Sequence, residues 1–275
     1  MLKVETLNPI RCFKGRGTDY FVKQNADAVS FVCASAGNFG QGMAYACQKH
    51  TIPLTVFAAE TANPLKLERM KQLGADIRLA GTDFDAAKDA AKAYALANAQ
   101  PFVEDGQAAE IAAGAGTIGL ELGKYPDPMD TLLVPVGNGA LINGIATWYK
   151  HSHPGTTVIG VVAAGAPAMD LSWRQRQRVT TERAETIADG IAVRNPVPEA
   201  LLSMAATVDD IVQVSDDAIL NAMRVIYGLV GIVVEPAGAV GVAAAMTAKD
   251  RFVGRLVATP LCGSNLTETQ VAQWL

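Results

Sequence analysis

The sequence is poor in the residues that carry several common functions. It has three histidines and four cysteines in 275 residues. The cysteines, Cys12, Cys33, Cys47 and Cys262, fall at irregular spacing that gives neither a CxxC metal pattern nor a disulfide framework. No metal site is expected. An excess of one charge is missing too, since 23 Lys and Arg face 27 Asp and Glu for a net charge of -4. That balance excludes a basic stripe for nucleic acid and a polybasic patch for an anionic membrane. No run approaches the roughly 18 apolar residues of a membrane-spanning helix. The opening MLKVETLNPIRCFKGRG carries charges where a secretory signal needs an apolar stretch. The expectation is a cytoplasmic protein with a small neutral or anionic substrate, and with no nucleic-acid or membrane partner.

What the chain does have is length for one large or two medium domains, and an apolar half. Short β-branched runs alternate with turns and longer Ala-rich stretches of helical spacing, the pattern of an α/β fold with a mainly parallel sheet. Strands are expected at Ala28–Ala34, Leu54–Ala58, Asp76–Ala80, Thr131–Val136, Thr157–Ala163, Ile211–Val214 and Arg255–Leu261. Helix starts are signalled by Asn63-Pro64, by Ser215-Asp216-Asp217, and by Asn265 with Glu268 three residues on. No repeat or Gly/Ser linker divides the chain, so a second domain is expected as an inserted lobe: residues 33–112 within a large domain of 1–32 and 113–275.

Three segments stand out for chemistry. In LVPVGNGALINGIA an apolar strand runs through Gly137, Asn138, Gly139, Ala140 and Leu141 into a helix. Bare N–H groups at the positive end of a helix dipole suit a phosphate, and a plain strand-to-helix turn is the alternative. A dinucleotide fingerprint would need Gly at position 142, which is Ile. Ser35, Ala36, Gly37 and Asn38 open SAGNFGQG, which either grips a carboxylate or caps a helix. Lys14 lies between Phe13 and a Gly-Arg-Gly run, and is either a solvated surface lysine or an amine suited to Schiff-base chemistry.

In chain order, NPIRCFKGRG, SAGNFGQG, VPVGNGAL, TIADGIAV (Thr186–Val193), EPAGAVGVAA (Glu235–Ala244) and LCGSN (Leu261–Asn265) resemble the motifs of the threonine/serine dehydratases. These are pyridoxal-phosphate enzymes of the tryptophan-synthase-β-like fold, fold type II, with a large domain and a smaller inserted one. The resemblance extends over essentially the whole chain. It implies that Lys14 holds pyridoxal 5'-phosphate as a Schiff base and removes the substrate Cα proton, with Phe13 packed against the cofactor ring. It implies a substrate-carboxylate loop of Ser35, Ala36, Gly37 and Asn38, with Asn38 also reaching the cofactor. It places Gly137, Asn138, Gly139, Ala140 and Leu141 at the phosphate, and Cys262 at the pyridine nitrogen. Glu235 is expected at the carboxyl end of a strand Ile232–Val234, in contact with the cofactor, or as the acid at a helix start.

The resemblance implies a lyase that converts L-threonine or L-serine to a 2-keto acid and ammonia, working as a homodimer or higher homo-oligomer. Ala36 stands where related serine racemases carry a second base, and Phe39 where dehydratases commonly have His. Family members usually have several dozen residues before the lysine block, so the chain is either truncated or has those elements dispensable or supplied by a partner subunit; the C-terminal regulatory domain of biosynthetic members is not expected. The short lead into Lys14 keeps a vestigial pyridoxal-phosphate-binding protein as the alternative, with a β-replacement enzyme or a racemase behind it.

Overall fold

The computed structural model describes residues 1–275. The chain forms two compact units, Met1–Phe13 with Ala115–Leu275, and Lys14–Gly114. It opens with β1 (Leu2–Val4) of the larger unit. The smaller unit follows as α1 (Lys14–Gln24), β2 (Phe31–Ala34), α2 (Asn38–Lys49), β3 (Leu54–Ala58), α3 (Pro64–Gln72), β4 (Asp76–Leu79), α4 (Phe84–Ala97), β5 (Phe102–Val103) and the first turns of α5 (Ala109–Leu122). The larger unit then adds β6 (Thr131–Pro135), α6 (Ala140–Ser152), β7 (Thr157–Ala163), α7 (Ala168–Gln175), α8 (Pro198–Thr207), β8 (Asp210–Val214), α9 (Asp216–Val230), α10 (Pro236–Thr247), β9 (Val257–Leu261) and α11 (Glu268–Trp274).

Both sheets are parallel. The larger unit orders its strands β1-β9-β6-β7-β8 and the smaller β4-β3-β2-β5. Central strands covered by helices on both faces must be apolar throughout, and every residue of β2 and β6 is buried. α10 carries almost no polar side chain, as a helix submerged in a core requires. It comes so close to the sheet that a Cβ on Gly241 would sit 1.9 Å from Thr259 Oγ1. Around it Leu133, Ile159, Val161, Met223 and Leu261 form the core of the larger unit. In the smaller unit, Ala91 and Ala95 of α4 pack on Val32, Ala34 and Phe57.

The signalled helix starts at Asn63 and Ser215 form as read, Asn63 accepting from Leu65 N–H with Pro64 in the first turn. Ser215 Oγ accepts from Ala218 N–H at 3.3 Å, ahead of Asp216 and Asp217. Ser215→Ala should therefore cost about 1 kcal/mol, read as a lower urea midpoint, while Ser215→Thr keeps most of it. An unchanged midpoint in the alanine variant would show that this cap contributes nothing.

Four features differ from the sequence reading. β1 and β5 were not expected, being 3 and 2 residues long, too short for a period of two to show. Ile232–Val234 is not a strand and joins no sheet, and of the two places read for Glu235 the structure has the helix start, just before the first turn of α10. The last helix is capped by Thr267 with Gln270, not by Asn265 with Glu268. Asn265 is already committed, its Nδ2 donating to Ile10 O at 2.9 Å. Finally, the smaller unit starts at Lys14 where the sequence reading began its lobe at 33, because α1 packs along α2.

Candidate active site

In the larger unit the site is built at the carboxyl ends of the parallel strands, where open α/β sheets form their crevices. β6 is buried from end to end, and the chain then turns through Val136–Gly139 into α6. The turn requires one left-handed residue, and it is Gly139, at φ +91°. Asn138 and Ala140 fall at ordinary φ, so these two side chains in the loop bring no backbone strain. Gly139 also stands before α6 without any side-chain cap. The N–H groups of Asn138, Gly139, Ala140 and Leu141 donate to no carbonyl of the chain and lie at the positive end of the helix dipole. Asn143 Nδ2 ties α6 to α8 through Ala200 O at 3.0 Å.

Close approaches at glycines join this loop to the other motifs. A Cβ on Gly137 would lie 2.9 Å from Gly190 O, and one on Gly190 would lie 3.1 Å from Ala237 Cβ and 3.9 Å from Glu235 Oε1. The TIADGIAV block thus fills the space between the loop and the start of α10. Its Thr186 is structural, with Oγ1 donating to Asp216 Oδ1 at 2.6 Å. Glu235 is buried; its N–H donates to Gly263 O, and its Oε2 accepts from Asn265 N–H at 3.2 Å. A Cβ on Gly263 would meet Glu235 Oε1 at 2.5 Å, so a larger residue there would displace that carboxylate. Cys262 follows β9, buried, with Sγ directed to Pro260 O at 3.6 Å.

The stretch leading to Lys14 is bound to this same strand end. Cys12 bridges antiparallel to Gly263, Phe13 N–H donates to Cys262 O at 2.9 Å, and Ser264 N–H donates to Arg11 O at 3.0 Å. Asn8 shapes the turn, its Oδ1 accepting from Ile10 and Cys12 N–H and its Nδ2 donating to Glu5 O. The LNPIRCF segment is therefore a clamp that delivers buried Phe13 next to Cys262.

In the smaller unit Lys14 is the first residue of α1 and ion-pairs with Asp105, Nζ to Oδ2 at 2.5 Å. The glycine at 17 is explained by packing: its Cβ would strike Ile111 O at 2.5 Å, just as a Cβ on Gly114 would strike Arg16 O. Asp105 was not singled out from the sequence. It follows the two-residue β5, and an acid at a strand's carboxyl end was the available signal, hidden because that strand was not foreseen. The loop after β2 is held by Ser35, whose Oγ accepts from Gly37 N–H at 3.1 Å and Gly40 N–H at 3.0 Å. A hydroxyl that accepts twice keeps its own proton to donate. Ala36, Gly37 and Asn38 are half-buried at the start of α2, with Phe39 buried behind them.

A family model described as pyridoxal-phosphate dependent enzyme matches residues 1–263. The chain belongs to that family. It is 35% identical to the biosynthetic L-threonine dehydratase of Lactococcus lactis over 96% of this chain and 66% of that protein. The chain thus spans about two thirds of the length of that curated relative. Among solved structures, the processed threonine deaminase isoform 2 of Solanum lycopersicum superimposes with a TM-score of 0.93 at 27% identity, over 99% of this chain and 76% of that one. Maize serine racemase does so at 0.92 and 25% identity, over 99% and 85%. The fold is fold type II of the pyridoxal-phosphate enzymes, as the motif order implied.

The residues present fit the family's cofactor. An uncapped helix start with unpaired N–H donors suits its dianionic phosphate, the buried thiol of Cys262 suits a neutral ring nitrogen, and Lys14 supplies a primary amine.

Proposed function

We propose that this chain eliminates water from a β-hydroxy amino acid, L-threonine or L-serine, to give a 2-keto acid and ammonia. The observation that carries the reading is the convergence, in the larger unit, of the Gly137–Leu141 donors, Glu235 and Cys262 on the strand end to which Phe13 is bonded, one residue before Lys14. Lys14 would hold pyridoxal phosphate, which when bound would supply an electron sink for the pair left when the substrate loses its Cα proton.

The chain's own residues do the rest. Gly137, Asn138, Gly139, Ala140 and Leu141 hold the phosphate through their backbone. Phe13 packs against the ring, and Glu235 contacts the cofactor. Ser35, Ala36, Gly37 and Asn38 take the substrate carboxylate, Ser35 with its remaining hydroxyl proton and Asn38 reaching the phenolic oxygen as well. The Lys14 amine would accept the Cα proton and pass it to the β-hydroxyl, which departs as water. Cys262 at the pyridine nitrogen would not keep it protonated as a carboxylate would, which favours elimination over transamination. Ala36 offers no group to return a proton on the opposite face, which disfavours racemisation. The chain works in the cytoplasm as a homodimer, covering exposed apolar side chains such as Leu229 and Val230 at the end of α9.

The test is a substrate panel on the protein loaded with pyridoxal phosphate. Release of 2-keto acid from L-threonine or L-serine, without inversion at Cα, is expected. A loaded protein that releases none from any β-hydroxy amino acid would overturn the elimination reading.

A further inference from the structure

The elimination scheme above leaves one buried ion pair of the smaller unit without a role. Lys14 Nζ and Asp105 Oδ2 are 2.5 Å apart, and the two side chains are only 14% and 12% exposed. Lys14 opens α1, whose first turn contains no acid. The positive end of a helix dipole disfavours an ammonium, so a protonated Lys14 depends on a counter-charge from elsewhere in the chain. Asp105 supplies it, from a turn that Gly106 closes at φ +89°. Its second oxygen, Oδ1, is buried and accepts no hydrogen bond. A carboxylate kept only as a structural anchor normally has both oxygens satisfied. Here one oxygen holds the amine and the other stays available beside it.

Resting on the assignment of Lys14 as the cofactor lysine, we infer that Asp105 positions the Lys14 amine and holds its charge whenever that amine is free, so that the base is a Lys14–Asp105 pair. When the Cα–H bond breaks, its electrons stay on carbon and the proton forms a new N–H bond on Nζ. The ammonium then stays in place against Asp105 Oδ2 until its proton passes to the departing hydroxyl as water. Other charges on the surrounding elements are largely matched among themselves. Glu104 is taken by Lys88 and Lys92 of α4, and Asp19 of α1 by Lys49 and His50 at the end of α2. Arg16 and Lys23 on α1, Asp85 and Asp89 on α4, and Glu110 and Glu121 on α5 are the other charges of these elements. Asp105 Oδ2 is in direct contact with the Lys14 amine.

The pair is tested first in cofactor-free protein, by the rate of trinitrobenzenesulfonate labelling of Lys14 at one fixed pH with peptide mapping. Asp105→Asn should label about tenfold faster or more, because the amine is no longer held against a carboxylate by a charge-assisted hydrogen bond. Asp105→Glu should restore the slow rate, and Asp105→Ser serves as the charge deletion if the Asn variant does not fold. In loaded enzyme the deletion should lower kcat and leave KM for the amino acid near its wild-type value, because Asp105 does not bind substrate. A labelling rate that stays at the wild-type value in a folded charge-deleted variant would overturn the pairing. If the rate rises as expected but the wild-type protein forms no imine with pyridoxal phosphate, it is the assignment of Lys14 that fails, and the catalytic part of the inference with it.

Discussion

Lys14→Ala is expected to remove the visible imine absorption of the loaded protein and to cut 2-keto-acid release by about 10³-fold or more, the scale on which positioned acid–base and covalent catalysis contribute. The expectation is large because the main chain leading to Lys14 is fixed independently of its side chain. Phe13 N–H is bonded to Cys262 O, Cys12 bridges Gly263, and Asn8 and Asn265 bind the backbone between them. Truncating Lys14 leaves those bonds in place, so the loss is chemical and not a collapse of the strand end. It does leave Asp105 without its ion-pair partner at a nearly buried position, and a modest drop in thermal midpoint should accompany it. Absorption and elimination that survive in Lys14→Ala would mean that another lysine carries the cofactor.

The second large effect is expected at Gly139. Alanine there must adopt φ near +91° and place its Cβ 2.9 Å from Ala200 Cβ. Together these should cost about 1 to 3 kcal/mol of stability. The N–H groups of Asn138–Leu141 hold their direction only while this turn keeps its geometry, so the affinity for pyridoxal phosphate should fall about tenfold for each 1.4 kcal/mol lost at the phosphate. Gly155→Ala is the control. That glycine has a φ outside the left-handed range and nothing within 4 Å of a new Cβ, so neither stability nor cofactor affinity should move. Equal affinities in Gly139→Ala and Gly155→Ala would take the loop out of phosphate binding.

Much of this was legible before any coordinates. Strands such as Leu54–Ala58 and Thr157–Ala163 fall where apolar runs between turn residues placed them, because fully covered parallel strands must be apolar at every position. The caps at Asn63 and Ser215 were legible because capping is local chemistry. What escaped depended on partners distant in sequence. β1 exists through its pairing with β9 at the other end of the chain, and Ile232–Val234 reads as a strand yet has no neighbour to pair with. Asn265 reads as a cap until Ile10 claims its side chain.

The site divides in the same way. Gly139, Cys262 and Lys14 were singled out through ordered motifs, whereas the joins between motifs, Gly137 against Gly190 and Gly263 against Glu235, are close approaches that no sequence pattern announces. Ser35 shows how a motif residue can carry more than one task, since its oxygen braces the turn through Gly37 and Gly40. Asp105 is the clearest omission, and it lies in the smaller unit beside the residue read as most important.

The assignment of Lys14 is open to one direct measurement. The protein is loaded with pyridoxal phosphate, reduced with borohydride, digested and mapped for the pyridoxyl-lysine adduct. The account predicts the adduct on the peptide containing Cys12–Arg16, at Lys14, and a matching loss of the visible band. No adduct, or an adduct confined to another lysine such as Lys3 or Lys49, would contradict it.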